Sequence, residues 1–166
     1  GGDGGTAREL LKHPSIASVV IAELDEAVVA QVMADLPSLP AGAFNDPRVS
    51  LRFGDAAATL AQARSDGERF DLILFDLTAS DDPACAHLHN LPFLRACAES
   101  LNPGGGLHVQ LGSPFYQPTS VANLYRRLTS IFPCVRPALV SVPLYGGPWL
   151  LAVAHVAPLP EPSLED

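Results

Sequence analysis

Short apolar runs of strand character alternate with segments of helical spacing along most of this chain, and that alternation restricts its fold more than any other feature. Ile16 to Ala22 is β-branched and apolar, which predicts a strand buried on both faces. Val28, Val29, Val32, Met33 and Leu36 recur at helical spacing behind Asp25, a residue able to cap the helix. Arg48 to Phe53 alternates as a strand, Ala56 to Ala63 follows as a helix, and Phe70 to Phe75 reads as a strongly buried strand. A helix is expected from Leu91 to Leu101. Asn102-Pro103-Gly104-Gly105-Gly106 then reads as a stop and turn before a strand over Leu107 to Leu111. Val121 to Phe132 is helical in pattern. Val135 to Val142 and Trp149 to Val156 close the series as two strands joined around Tyr145-Gly146-Gly147.

Strands separated by helices predict a mostly parallel sheet covered on both faces, and the last pair predicts an antiparallel hairpin at one edge. One domain over residues 1–156 is expected, with a loose tail over 157–166 rich in proline and acid. The opening Gly1-Gly2-Asp3-Gly4-Gly5 reads as a loop that normally follows a strand, so the expectation is a piece of a longer protein. At 166 residues, with 48% apolar and 17% charged residues, the chain can bury a core. Its formal charge of −8 argues against a nucleic-acid partner and favours a cationic ligand. Cys85, Cys97 and Cys134 are odd in number and lack metal-site spacing, so they are expected to be buried thiols in a reducing, cytoplasmic compartment. No apolar run approaches the ~20 residues of a membrane span.

Ligands of such sheets sit beyond the carboxyl ends of the strands, so the polar residues there are the candidates. Gly2 and Gly4 allow close backbone approach, while Asp3 between them would repel phosphates and favour an amine. Glu23 ends its strand 18 positions after Gly5, close to the ~20-residue spacing of a ribose-binding acid; as an alternative it is a loop acid beside Asp25 and Glu26. Asp55, after Gly54, can accept from an adenine amino group, cap the helix that starts at Ala56, or do both. Asp76 closes the Phe70–Phe75 strand, as a reacting acid or as a turn former. Strands alternating with helices and closing in an antiparallel hairpin fit the Rossmann-like fold of class I S-adenosylmethionine-dependent methyltransferases better than a dehydrogenase, and the Gly-Asp-Gly arrangement separately disfavours a pyrophosphate. His87, His89 and His108 are expected to be hydrogen-bonded or exposed rather than ligands, and Trp149, Phe70 and Phe75 to be core.

Together, Gly-Gly-Asp-Gly-Gly-Thr-Ala-Arg-Glu, Glu23-Leu24-Asp25, Gly54-Asp55 and Asp76-Leu77-Thr78 resemble the polyamine aminopropyltransferases, with spermidine synthase as the type. Asn102-Pro103-Gly104-Gly105, Gln110-Leu111-Gly112-Ser113-Pro114 and Pro143-Leu144-Tyr145-Gly146-Gly147 extend the resemblance in the same order, to about His155. The resemblance implies aminopropyl transfer from decarboxylated S-adenosylmethionine, a co-substrate and not a permanently bound cofactor, to a small polyamine such as putrescine. It implies that Asp3 meets the donor's amine, Glu23 the ribose and Asp55 with Ala56 the adenine. Asp76 is then the proton acceptor, and Tyr145 lines the amine channel. No metal is expected, and the assembly expected is a homodimer. The family pattern has a second loop acid where this sequence has Ala79; Asp81 or Asp82 is the expected substitute, with Asp81 assigned to the amine. The family's N-terminal β-domain and first sheet strand do not appear in this sequence, and in related proteins that region can hold membrane spans. The rival readings are a methyltransferase on the same fold, against which Asp3 speaks, and a catalytically degenerate nucleoside-binding module, which Ala79 favours.

Overall fold

The computed structural model describes residues 1–77 and 82–159. They divide into two compact units, Gly1–Gln62 and Ala63–Asp166.

In the first unit, helix α1 (Gly5–Leu11) springs directly from the glycine loop, followed by β1 (Val19–Glu23), α2 (Glu26–Asp35), β2 (Val49–Phe53) and most of α3 (Ala56–Ser65). β1 and β2 run parallel, in register from Val19 opposite Val49 to Glu23 opposite Phe53. Ala7, Ile21 and Ala43 are buried, and Leu11, Val19, Phe44, Val49 and Leu51 pack around them. The Asp25 carboxylate accepts the Ala27 N–H at 2.9 Å, so the expected cap of α2 is present. β1 starts at Val19 rather than Ile16. The Arg48 guanidinium donates to the carbonyls of Leu11 and Ile16, each at 3.3 Å, and so occupies backbone acceptors just ahead of the strand.

The second unit holds β3 (Phe70–Leu74), α4 (Leu91–Ser100), β4 (Leu101–Gly112), α5 (Pro118–Thr129), β5 (Cys134–Val142) and β6 (Gly147–His155). The strand order is β3-β4-β6-β5. β3 and β4 are parallel, whereas β6 is antiparallel to both β4 and β5, so the sheet is mixed and the terminal hairpin supplies its antiparallel half. α4 and α5 both pack on β4. Leu94, Cys97, Leu107, Val109, Leu124, Leu128 and Ala154 are almost completely removed from solvent.

Four details depart from the sequence expectation. β4 includes the Asn-Pro-Gly-Gly-Gly segment: Leu101 pairs with Phe70, and pairing resumes with Gly106 opposite Leu72. The intervening residues loop out, with Gly104 at φ +82° and the Asn102 side-chain amide donating to Asp71 at 2.8 Å. The expected turn is therefore a bulge inside one strand. β3 is less buried than its apolar run suggested. It takes an outer position in its sheet, and Asp71 and Leu72 are exposed. α5 opens at Pro118, three residues ahead of the apolar pattern, because proline at the first turn carries no N–H to leave unpaired. Of the three free thiols only Cys97 is fully buried; Cys85 and Cys134 are half-buried.

Candidate functional site

The glycine loop and the end of β1 are tied together. The Gly2 N–H donates to Glu23 Oε2 at 2.7 Å, and the Asp25 N–H donates to Glu23 Oε1 at 3.0 Å. A Cβ on Gly2 would lie 2.7 Å from Glu23 Oε2, so any side chain there would push the Glu23 carboxylate aside. Gly4 is held at φ +72°, and a Cβ on it would strike Phe44 and Pro40, each at 2.7 Å. Asp3 is exposed, and its Oδ1 accepts the Gly5 N–H at 2.9 Å at the start of α1. Glu23 is thus a half-buried, oriented carboxylate rather than a loose loop acid.

The end of β2 joins this group. The Gly54 N–H donates to the Glu23 carbonyl at 2.8 Å. Asp55 follows, its Oδ1 accepting from the Ala57 and Ala58 N–H groups at 2.9 and 3.1 Å. Asp55 therefore caps α3, which begins at the half-buried Ala56. The first unit brings Gly2, Asp3, Gly4, Glu23, Asp55 and Ala56 to the carboxyl ends of β1 and β2. Leu24, 72% exposed next to Glu23, was not singled out by sequence reasoning; an apolar side chain so exposed at a sheet's ligand end is the signal that marks it.

In the second unit Asp76 leaves β3 at the surface, just after Phe75, whose N–H donates to the His108 carbonyl at 2.9 Å. Burial pushes the His108 imidazole below its ordinary pKa, and the negative Asp76 partly opposes that shift. Two strand positions beyond His108, Gln110 accepts the Trp149 indole N–H at 3.1 Å. The Trp149 ring lies 4.6 Å from the ring of Tyr145, centroid to centroid. Trp149, expected in the core, is half-buried and links Gln110 to Tyr145. Ser113 is buried; its hydroxyl accepts the Tyr116 N–H and its carbonyl accepts the Gln117 N–H, which folds the Gly-Ser-Pro turn onto the start of α5. The pairing of Gln110 with Trp149 escaped the sequence reading because 39 positions separate them and only the strand order makes them neighbours. Asp81 and Ala79 lie outside the described residues. His89 is buried and bonded through Nδ1 to the Cys85 carbonyl at 3.0 Å. Among the described residues no three His, Cys, Asp or Glu side chains converge on a metal position, and no helix is long and apolar enough to cross a membrane.

Solved structures and curated relatives resemble this chain over most of its length. A crystal structure of spermidine synthase in complex with the transition-state analogue AdoDATO superposes with a TM-score of 0.86 at 30% identity, covering 95% of this chain and 53% of that one. Spermidine synthase from Thermotoga maritima gives 0.81 at 31% identity, covering 95% and 52%. A polyamine aminopropyltransferase of Nitrosomonas europaea is 43% identical over 154 residues, 93% of this chain and 46% of the relative. That of Mycobacterium tuberculosis is 37% identical over 163 residues, 96% of this chain and 31% of the relative. The chain therefore spans about half or less of the length of the relatives it matches. These superpositions define an α/β fold of the Rossmann-like methyltransferase type. The match to the Spermine/spermidine synthase domain extends over residues 1–158, and the chain belongs to that family.

Proposed function

We propose that this protein transfers an aminopropyl group from decarboxylated S-adenosylmethionine to a small polyamine such as putrescine, giving spermidine and methylthioadenosine. The observation that carries the reading is the fastening of Glu23 to the glycine loop, which presents an oriented acid for two ribose hydroxyls beside Asp3. Asp55 and Ala56 would meet the adenine, with exposed Leu24 as an apolar face for the base. Asp3 would accept from the amine at the donor's tail, where a carboxylate-bearing donor would be repelled.

The acceptor amine has an unperturbed pKa near that of lysine, about 10.4, and arrives protonated. Asp76 takes one proton from it, and the freed nitrogen lone pair attacks the methylene attached to the sulfonium. A C–N bond forms as the C–S bond breaks, and the C–S pair passes to sulfur, leaving a neutral thioether. Tyr145 would line the path of the amine, and Asp81 is the proposed second acid. A homodimer, a cytoplasmic location and the absence of nucleic-acid partners complete the reading, the last supported by the net charge of −8.

Calorimetric titration with methylthioadenosine, S-adenosylmethionine and its decarboxylated form tests the donor. The decarboxylated form should bind more tightly than S-adenosylmethionine. Preference for the form that bears the carboxylate would reject the proposal.

A further inference from the structure

β4 is irregular where it reaches the rim. Its antiparallel register with β6 runs Val109 opposite Ala152 and Gln110 opposite Leu151, then skips to Gly112 opposite Leu150. Leu111 is the extra residue of a bulge, and a bulge re-aims the side chains beside it. Gly112 accepts the distortion at φ +110°. On the other edge of β4, Leu74 is the parallel partner of His108. β3 ends there, but the Phe75 N–H still bonds the His108 carbonyl, so Asp76 follows two positions past the partner of His108 and Gln110 stands two positions past His108 on β4.

We propose that Trp149 is a positioning residue that fixes the amide of Gln110, so that Gln110 offers a neutral carbonyl acceptor to the incoming amine beside Asp76. This inference rests on the aminopropyl-transfer reading. An indole N–H can only donate, so the amide must turn its oxygen to Trp149; the reversed amide would set donor against donor. The carbonyl oxygen has two lone pairs and the indole engages one, leaving the other for a substrate N–H. Tyr145, packed on the indole, braces it and adds a π face that attracts an ammonium. A neutral acceptor orients the amine without competing for its proton, which leaves proton transfer to Asp76.

Steady-state kinetics with putrescine as acceptor test this in wild type, Trp149→Phe, Gln110→Ala and the double variant. Trp149→Phe keeps a ring against Tyr145 and removes the N–H. Each single variant should raise the amine KM about 5–10-fold, with kcat and the donor KM little changed, as expected for one lost hydrogen bond. The double variant should be no worse than either single one, because both act on one interaction. An unchanged amine KM in Trp149→Phe, or multiplicative effects in the double variant, would overturn the inference while wild-type turnover upholds the function. Absence of transfer by the wild type would overturn the functional reading and this inference with it. Trp149 is the chain's one tryptophan, so its indole N–H gives a single NMR signal in the wild-type protein. That signal should be slow to exchange and should shift on addition of putrescine. A fast-exchanging signal unmoved by putrescine would contradict the inference without recourse to any variant.

Discussion

Gly2 and Glu23, 21 positions apart, are joined by a 2.7 Å hydrogen bond from a backbone N–H to a carboxylate oxygen. A Cβ on Gly2 would crowd the Glu23 carboxylate at 2.7 Å. Gly2→Ala should therefore displace the Glu23 carboxylate rather than unfold the unit. Losing a charge-assisted hydrogen bond of ~1.5–3 kcal/mol corresponds to about 10–100-fold weaker nucleoside binding. Calorimetry with methylthioadenosine, together with a thermal melt showing the fold retained, checks this. Unaltered binding would show that Glu23 is not the ribose anchor.

Asp46 gives the protein a defined acid sensitivity. The Arg48 guanidinium and backbone N–H bond its carboxylate and hold its pKa at about 2, below the ordinary 3.8. Because the folded value is depressed, this pair stabilises the fold fully above the unfolded pKa, and the contribution disappears as pH falls from about 4 to about 2. Urea midpoints across that window should fall more steeply for wild type than for Asp46→Asn. Parallel curves would show that the pair contributes nothing.

The thiols should differ in reactivity. Burial pushes the Cys97 thiol up to about 12, whereas Cys85 and Cys134 are half-buried. Iodoacetamide at pH 8 should label Cys85 and Cys134 in the native protein and leave Cys97 unmodified until denaturant is added. Peptide mass spectrometry resolves the three sites. Equal labelling of Cys97 would contradict its placement on the buried face of α4.

Leu107 lies on β4 with no solvent exposure, between strands on both sides. Leu107→Ala should cost about 2–5 kcal/mol through lost burial and the cavity left behind. Chemical denaturation measures it, and a loss well under 1 kcal/mol would mean that the site collapses freely or is not core.

The carboxylates at the ends of β1, β2 and β3 were legible because each follows a β-branched or apolar run closely. Glu23 and Asp76 end such runs, and Asp55 stands one glycine further on. Capping chemistry was equally local, as Asp25 and Asp55 show. What stayed hidden depends on pairing between distant segments. Trp149 read as core because a lone tryptophan among apolar residues carries no hint of a partner, yet β6 lies beside β4 and brings its indole to Gln110. Asn102 to Gly106 read as a turn because local propensity says so, although flanking pairs with β3 keep the segment inside one strand. Ile16 read as strand until the Arg48 guanidinium, 32 residues away, is seen to take its carbonyl.

The account turns on Asp76 as the group that receives the amine's proton. Asp76→Asn preserves the shape of the side chain and removes its basicity. Aminopropyl transfer from decarboxylated S-adenosylmethionine to putrescine, followed by product chromatography, should fall about 10²–10⁴-fold while methylthioadenosine binding persists. Undiminished transfer by the variant would place the proton acceptor elsewhere and contradict the account.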